Sequence, residues 1–269
     1  FVNIVELNLG GRSKMKSNVV FMTALKANDP NMFDYMEWSL KTWRWWCEKH
    51  NVKLFLLEEP LCDTELMRPT WQRWYVYDIL DANNIEYNQV ALIDIDTMIH
   101  WDTPNIFELS NKQYTGVRDD VSLEWVNNSL AGYKKFFPNT NLEWTDYINN
   151  GIIVLPEKGG KEFCKKVTKF YDENIDELRN MQHHTLKKGT DQTPVNYLAV
   201  EHFGDKINYL SKKFNWGHLH TTHGFLQCIF TGEPIFIKYG WIWHFNGLPR
   251  EDRNNLMKQT WEAIEKNYV

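Results

Sequence analysis

Two aspartates separated by one residue, Asp94 and Asp96, directly follow the apolar run 90–93. Such a run is typical of a buried strand that ends at the edge of a sheet, where α/β proteins bind ligands. Alternation along the chain leaves both carboxylates on one side and turns Ile95 toward the core. Two carboxylates in this position can hold one Mg²⁺ or Mn²⁺ ion together with diphosphate oxygens. The spacing therefore predicts a site for a hard divalent cation, with a capped or solvated turn as the structural alternative.

Near the C-terminus, His244, Gly247 and Arg250 recur at intervals of three residues. A neutral imidazole can supply a third ligand to the cation. Glycine lets the backbone approach a phosphate closely, and a guanidinium can donate paired hydrogen bonds to diphosphate oxygens. A histidine beside Trp241 and Trp243 could instead be a hydrogen-bonded core residue, but the regular spacing of the three groups favours the functional interpretation.

The elements that must position these groups alternate between strands and helices. The predicted strands are 18–25, 52–57, 90–93, 151–155 and 234–237, and the predicted helices are 33–47, 70–80, 161–179 and 252–267. The second helix is expected to begin with Thr70 as its N-cap. Strand, helix, strand, helix, strand is the start of a doubly wound fold. We predict one α/β domain over residues 18–269, with a mixed central sheet flanked by helices, and a loosely attached leader over residues 1–17 that contains Gly10-Gly11.

The composition narrows the classes of protein. A net charge of −5 and a pI near 6.0 argue against a protein that coats a nucleic-acid backbone, although a basic pocket for one diphosphate remains compatible. The four cysteines form no CxxC pair, so the sequence predicts neither a zinc site nor a disulfide framework. Without a long apolar stretch or a signal-peptide core, we expect a cytoplasmic protein with no transmembrane segment. Of the 13 tryptophans, Trp43 and Trp74 lie on predicted helical faces and are expected to be structural.

Four short motifs occur in a fixed order along the chain. They are Asp94-Ile-Asp96, Asn149-Asn-Gly151, Asp191-Gln192 with Asn196, and His244-x-x-Gly247-x-x-Arg250. In order and spacing, this set resembles the GT-A-fold nucleotide-sugar glycosyltransferases over residues 18–250. The resemblance is closest to glycosyltransferase family 8, the glycogenin-like and bacterial galactosyltransferase-like group. Each motif alone is short, so the resemblance depends on all of them together.

The resemblance implies roles for particular residues. The metal, Mn²⁺ or Mg²⁺, would be bound by Asp94, Asp96 and His244. The residues implied for binding of the donor are Thr23, Ala24, Arg73, Asn149, Gly151, Gly247 and Arg250. The family usually has lysine where this chain has Arg250, so the charge is kept while the hydrogen-bonding geometry changes.

The family pattern also places Asp191 and Gln192 near the anomeric carbon and the incoming hydroxyl, which makes them the predicted catalytic residues. The Asp191 carboxylate could activate the acceptor or stabilise positive charge on the sugar, and Gln192 cannot act as a base. A helix cap is the structural alternative for Asp191. For the Asn149-Asn-Gly151 turn, the alternatives are an amide that binds sugar hydroxyls and an ordinary tight turn before a strand.

The predicted function is transfer of a sugar from a nucleotide-diphosphate donor, with UDP favoured, to a hydroxyl of a glycan or other acceptor. A nucleotidyltransferase acting on sugar phosphates is one alternative, but segment 22–28 lacks the glycine-rich loop that such enzymes place after their first strand. A non-catalytic carbohydrate-binding protein is the second, suggested by the tryptophans. A carbohydrate-binding protein would not explain why the metal and diphosphate motifs occur in this order.

Overall fold

The computed structural model describes residues 4–7, 16–26, 31–119, 123–186 and 191–268. The strands of these residues are β1 Val5–Glu6, β2 Ser17–Thr23, β3 Lys53–Leu57, β4 Tyr87–Asp94, β5 Thr97–Ile99, β6 Tyr114–Arg118, β7 Ile148–Leu155, β8 Ile207–Leu210 and β9 Ile242–His244. Their α-helices are α1 Met36–Lys49, α2 Pro69–Gln72, α3 Val76–Ala82, α4 Ile106–Leu109, α5 Leu123–Tyr133, α6 Gly160–Glu173, α7 Ile175–Asn180, α8 Gln192–Phe203, α9 Ile235–Tyr239 and α10 Arg250–Ile264.

A mixed sheet lies at the centre, and its seven described strands are ordered β1-β3-β2-β4-β7-β6-β8. Strands β3, β2 and β4 run parallel, β7 is antiparallel to both β4 and β6, and β8 is parallel to β6. Side chains alternate between two cores, so that Val19 and Phe21 lie in one while Val20 and Met22 lie in the other. Helices cover both faces, which confirms the predicted α/β fold with a mixed central sheet.

The sheet brings the candidate site residues to one edge. In the parallel register of β2 and β4, Thr23 lies beside Asp94. The chain then turns into β5, which pairs with β9 in a small two-stranded sheet that places Thr97 opposite His244. The Thr97 hydroxyl donates to the carbonyl oxygen of Asp94. This second sheet therefore attaches His244 to the strand end that carries Asp94 and Asp96.

Segment 234–237, predicted to be a strand, instead leads into helix α9. The N–H of Lys238 donates to the carbonyl of Pro234, as in a helical turn. Phe236 and Ile237 are buried against the core. The prediction was wrong because a short apolar run is compatible with either a buried strand or a buried helical turn.

The second helical segment begins at Pro69, so the predicted N-cap at Thr70 is wrong. Arg68 has an extended conformation, and proline takes the first helical position, where its missing N–H has no hydrogen bond to lose. The segment tightens to a 3₁₀ turn over Arg73–Tyr75 before α3. This turn buries the side chains of Arg73 and Trp74.

The later helices follow the predicted apolar pattern with one interruption. The predicted helix over 161–179 is divided at Asn174, where α6 ends and α7 begins, and the Asn174 amide donates to the carbonyl of Phe170. Helix α10 corresponds to the predicted helix over 252–267. Among the described residues, no helix combines the length and apolar character needed to cross a membrane.

Part of the predicted leader pairs with the sheet. Val5–Glu6 forms an antiparallel edge strand against β3, and β2 begins at Ser17. Gly10-Gly11 lies outside the described residues. The division of the chain into a leader over 1–17 and a domain over 18–269 stays a prediction.

Candidate metal and donor site

Asp94, Asp96 and His244 converge at the carboxyl edge of the sheet. Nε2 of His244 lies 3.2 Å from Oδ1 of Asp96 and 3.6 Å from Oδ2 of Asp94. One ligand atom of each residue lies within 4.8 Å of the other two. Octahedral coordination at about 2.1 Å places neighbouring ligand atoms about 3 Å apart, so these distances suit a single divalent cation. The His244 side chain is 3% exposed and that of Asp94 is 36% exposed, which leaves the carboxylate side open to a ligand.

Asp94 and Asp96 each have one carboxylate oxygen that faces His244 and a second oxygen that contacts an arginine. Nη1 of Arg73 donates to Oδ1 of Asp94 at 2.7 Å, and Nη1 of Arg253 lies 3.4 Å from Oδ2 of Asp96. The two oxygens that face His244 are therefore the ones not occupied by these arginines. Partners outside the coordination sphere orient metal ligands in this way. The ligand atoms of Asp94, Asp96 and His244 are therefore better oriented for a cation than those of two aspartates without such partners would be.

Two amides orient the histidine. Nδ1 of His244 lies 2.9 Å from Oδ1 of Asn215, and Nδ2 of Asn215 donates to Oδ1 of Asn149, also at 2.9 Å. Because that second bond uses the amide nitrogen of Asn215, its oxygen is left to accept from the Nδ1–H of the imidazole. In the neutral ring the Nε2 lone pair then faces Asp94 and Asp96, which is the orientation a metal ligand requires.

Burial and charge shift the pKa values of the three residues differently. Burial raises the pKa of Asp94, and the nearby Arg73 and His244 only partly oppose it. For Asp96, burial acts upward too, but His244 and Arg253 outweigh it and hold the pKa below its ordinary value. Burial alone would lower the pKa of His244, whereas the two carboxylates raise it above its ordinary value. The site thus attracts positive charge, and a bound cation would compete with a proton for Nε2 of His244.

Asp191 lies next to this group in a buried hydrogen-bond network. Its Oδ2 accepts from Nη2 of Arg73 and from Nε1 of Trp74, both at 2.9 Å, and from the amide of Asn150 at 3.4 Å. Arg73 thereby bridges Asp191 and Asp94. The Asp191 backbone occupies the N-cap position of α8, but its side chain makes no cap hydrogen bond. The carboxylate belongs to the network and not to a helix cap.

Gln192 connects this network to a carboxylate that the sequence motifs did not include, Asp119. The Gln192 side chain accepts from the N–H of Asn150 at 3.1 Å and donates to Oδ2 of Asp119 at 3.3 Å. The same oxygen accepts from the amide of Asn149 at 3.1 Å. Asp119 directly follows β6, much as Asp94 ends β4, but segment 114–118 was not predicted as a strand, so no pattern marked this carboxylate.

Gly151 leaves space for the candidate histidine ligand. A Cβ at this position would lie 2.3 Å from Cε1 and 2.8 Å from Nδ1 of His244. Asn149-Asn-Gly151 lies inside strand β7, so the predicted tight turn before a strand is wrong. The N–H of Gly151 donates to Oδ1 of Asn149 within the strand. The close approach expected at this glycine is thus to the imidazole, and contact with a donor sugar stays a prediction.

The C-terminal motif places its two other residues differently. Gly247 has a φ of +73°, a left-handed conformation that favours glycine. Arg250 begins α10, is about two-fifths exposed, and has its Nε 3.6 Å from Oδ1 of Asp34. Arg253, one turn further along, is the arginine that lies beside Asp96. Arg253 also donates to the carbonyl of Phe245, so it contacts the start of the segment between His244 and Arg250.

The two nucleotide-site candidates lie at the end of β2. Thr23 is partly buried beside Asp94. Ala24 is fully buried, and its N–H donates to the carbonyl of Leu57. Ala24 could therefore contact a nucleotide mainly through its backbone, and both assignments stay predictions.

Comparison with known proteins gives a match in fold. No protein-family model matches the chain, and no curated protein sequence matches it. A glycosyltransferase involved in the glycosylation of the major capsid of PBCV-1 is 12% identical, with a TM-score of 0.56, over 90% of this chain and 99% of that one. The bifunctional glycosyltransferase WbbM is 16% identical, with a TM-score of 0.50, over 96% of this chain and 53% of that one. The galactosyltransferase LgtC is 13% identical, with a TM-score of 0.46, over 91% and 99%.

Identities this low establish the fold alone. The chain has the GT-A fold, with the mixed seven-stranded sheet described above, and this confirms the fold predicted from the motifs. The first two matches agree in fold with the resemblance to GT-A glycosyltransferases, and the closer resemblance to family 8 stays a prediction.

Proposed function

We propose that this protein is a metal-dependent glycosyltransferase that moves a sugar from a nucleotide-diphosphate donor, a UDP-sugar, to a hydroxyl of a glycan or other acceptor. The observation that carries the proposal is the convergence of Asp94, Asp96 and His244 at the carboxyl edge of a GT-A sheet. Each of the three has a further partner that aims its ligand atom at the other two.

The residues that would hold Mn²⁺ or Mg²⁺ are Asp94, Asp96 and His244. When bound, the cation would supply positive charge against the leaving diphosphate. Arg73 already donates to two carboxylates, so its proposed role is to position them next to the donor. Arg250, partly exposed and three residues beyond Gly247, is the proposed contact to the diphosphate oxygens.

Asp191 is the proposed source of negative charge near the anomeric carbon, and Gln192 the neighbouring amide. A proton taken up by Asp191 would weaken its buried ion pair with Arg73. The carboxylate is therefore better suited to stabilise positive charge developing on the sugar than to act as a base.

Removal of divalent metal should lower the rate of sugar transfer by at least roughly a hundredfold. Loss of about 3 kcal/mol of charge stabilisation corresponds to roughly a hundredfold in rate. The measurement is release of free UDP from a panel of UDP-hexoses, with excess chelator and then with Mn²⁺ restored. Full turnover in chelator would contradict the proposal. With pyrophosphate added, conversion of the UDP-hexose to UTP and a sugar phosphate would indicate a nucleotidyltransferase, and no turnover with any donor would favour a binding protein.

Arg250→Ala should lower kcat/KM by about 2–4 kcal/mol in transition-state stabilisation, as loss of a charge-stabilising donor does elsewhere. Arg250→Lys should keep most of the activity, because the positive charge remains. Arg44→Ala, on the exposed face of α1, is the matched control and should change neither activity nor stability. An Arg250→Ala protein as active as this control would contradict the proposed contact of Arg250 with the diphosphate.

A further inference from the structure

A short hairpin, residues 226–235, leads into helix α9. The N–H of Cys228 donates to the carbonyl of Glu233, and the N–H of Ile235 donates to the carbonyl of Leu226, both at 2.9 Å. These hydrogen bonds join the two arms of the hairpin, so the residues at its tip are held in one place.

Two large apolar side chains lie side by side at this tip. Ile229 is 90% exposed and Phe230 is 89% exposed, more than any other large hydrophobic residue that the structure describes. Leu226 at the base of the hairpin and Tyr239 in α9 are exposed as well. Single exposed apolar residues are ordinary, but a group of them on a fixed turn indicates an interaction surface.

The apolar area at the tip is small for a protein partner. An aromatic side chain can bury about 150–250 Å², so Ile229 and Phe230 together offer about 400 Å². A specific interface between two proteins usually takes about 800 Å² from each partner. A lipid bilayer sets no such minimum, because each apolar group that enters it contributes on its own. The size of the tip therefore favours a membrane.

The charge of this region is opposite to that of the whole chain, which has a net charge of −5. Segment 206–250 contains one acidic residue, Glu233, and five basic ones, Lys206, Lys212, Lys213, Lys238 and Arg250. Lys238 lies in α9 directly after the hairpin, and the carbonyl of Lys213 accepts from the N–H of Trp241, just beyond that helix. An anionic surface would therefore attract this region and repel the more acidic remainder of the protein.

The hairpin is packed against the part of the core that holds the candidate histidine ligand. The rings of Phe225, at its base, and Phe245 lie 6.1 Å apart, and Phe236 packs against both Trp243 and Phe245. Trp243 and Phe245 are the sequence neighbours of His244. Contact at the tip would therefore fix the orientation of the candidate site relative to the contacted surface.

We propose that the tip of the hairpin inserts into an anionic lipid bilayer and holds the protein at the membrane surface. Binding of this kind combines buried apolar area with attraction between basic side chains and anionic headgroups, and this region has both. It needs neither a donor nor a metal ion, so it is independent of the proposed function.

Flotation with lipid vesicles tests this binding in the absence of donor and metal. The vesicles consist of phosphatidylcholine, alone or mixed with phosphatidylserine. The wild-type protein should float mainly with the mixed, anionic vesicles, and added salt should weaken its binding. Ile229→Ser/Phe230→Ser should lower the binding by at least roughly tenfold, because the serine side chains gain nothing from entering the bilayer.

Leu66→Ser/Leu109→Ser is the matched control, since it removes two exposed leucines that lie before α2 and at the end of α4. It should bind as the wild type does. Phe230→Trp should also bind, because tryptophan suits the membrane interface. Lys213→Gln/Lys238→Gln should lower the binding to anionic vesicles by roughly tenfold.

A wild-type protein that floats with neither kind of vesicle would overturn the proposal, and so would a serine tip variant that binds as well as the leucine control. A dimer that light scattering detects in the wild type and not in the tip variant would show that a second copy covers the tip, which also overturns it. If Ile229→Ser/Phe230→Ser melts early, Ile229→Ala/Phe230→Ala takes its place. None of these results bears on metal-dependent UDP binding, which is measured separately.

Discussion

Gly151→Ala should lower the affinity for Mn²⁺ by at least roughly a hundredfold, more than the loss of an outer partner of a ligand usually costs. The added methyl carbon would lie 2.3 Å from Cε1 of His244, too close for any real contact. The imidazole is buried and hydrogen-bonded to Asn215, so moving aside would break that bond. Titration with Mn²⁺, followed by electron paramagnetic resonance of the free ion, measures the affinity directly.

A second glycine provides the control. At Gly132 in α5, an added methyl carbon would lie 2.9 Å from Cδ1 of Leu186 and 3.6 Å from Cε of Met181, both at the ends of flexible side chains. Alanine is also preferred to glycine inside a helix by up to about 1 kcal/mol. Gly132→Ala should therefore bind Mn²⁺ as the wild type does. Equal affinity in Gly151→Ala would show that His244 does not bind the ion in the orientation seen here.

The candidate metal ligands could be picked out because their chemistry is visible in short patterns. Asp94 and Asp96 end an apolar strand, and His244 begins a motif with regular spacing. The contact between them comes from the pairing of β5 with β9, which no pattern in either strand announces. A resemblance in motif order supplied that link where periodicity could not.

The residues that contact the candidate metal ligands could not be predicted from local sequence patterns. Asn215 and Arg253 are single polar residues in a loop and a helix, and their roles depend on which side chains tertiary packing brings next to them. Arg253 had a weak signal, since it lies one turn after Arg250 on the same side of α10. The tryptophans were expected to be structural, and Trp43 and Trp74 are indeed buried. That Trp74 also donates to Asp191 follows only from the three-dimensional arrangement.

Asp191→Asn should reduce turnover by at least roughly a hundredfold and leave the affinity for the nucleotide sugar nearly unchanged. The substitution keeps the shape of the side chain and removes its charge. It should also lower the free energy of unfolding, because Arg73 would lose one of its two carboxylate partners. Removal of one partner from a buried pair costs about 3–5 kcal/mol, and the remaining amide oxygen should keep the loss near the lower end.

Trp74→Phe separates the effect of the Asp191 charge from that of the hydrogen bond that Trp74 donates to it. This change removes one donor to the same carboxylate oxygen and keeps a ring that can pack against Phe163. The stability loss should be about 1–2 kcal/mol, and turnover should fall by less than about tenfold, because the negative charge and the pair with Arg73 remain.

Nucleotide-sugar binding should be measured directly by calorimetry, since a Michaelis constant need not equal a dissociation constant. Turnover measured below the unfolding temperature of both variants then decides the role of Asp191. A normal rate in Asp191→Asn would make the carboxylate a structural partner of Arg73, whereas a large loss there and a small one in Trp74→Phe would assign the effect to its charge.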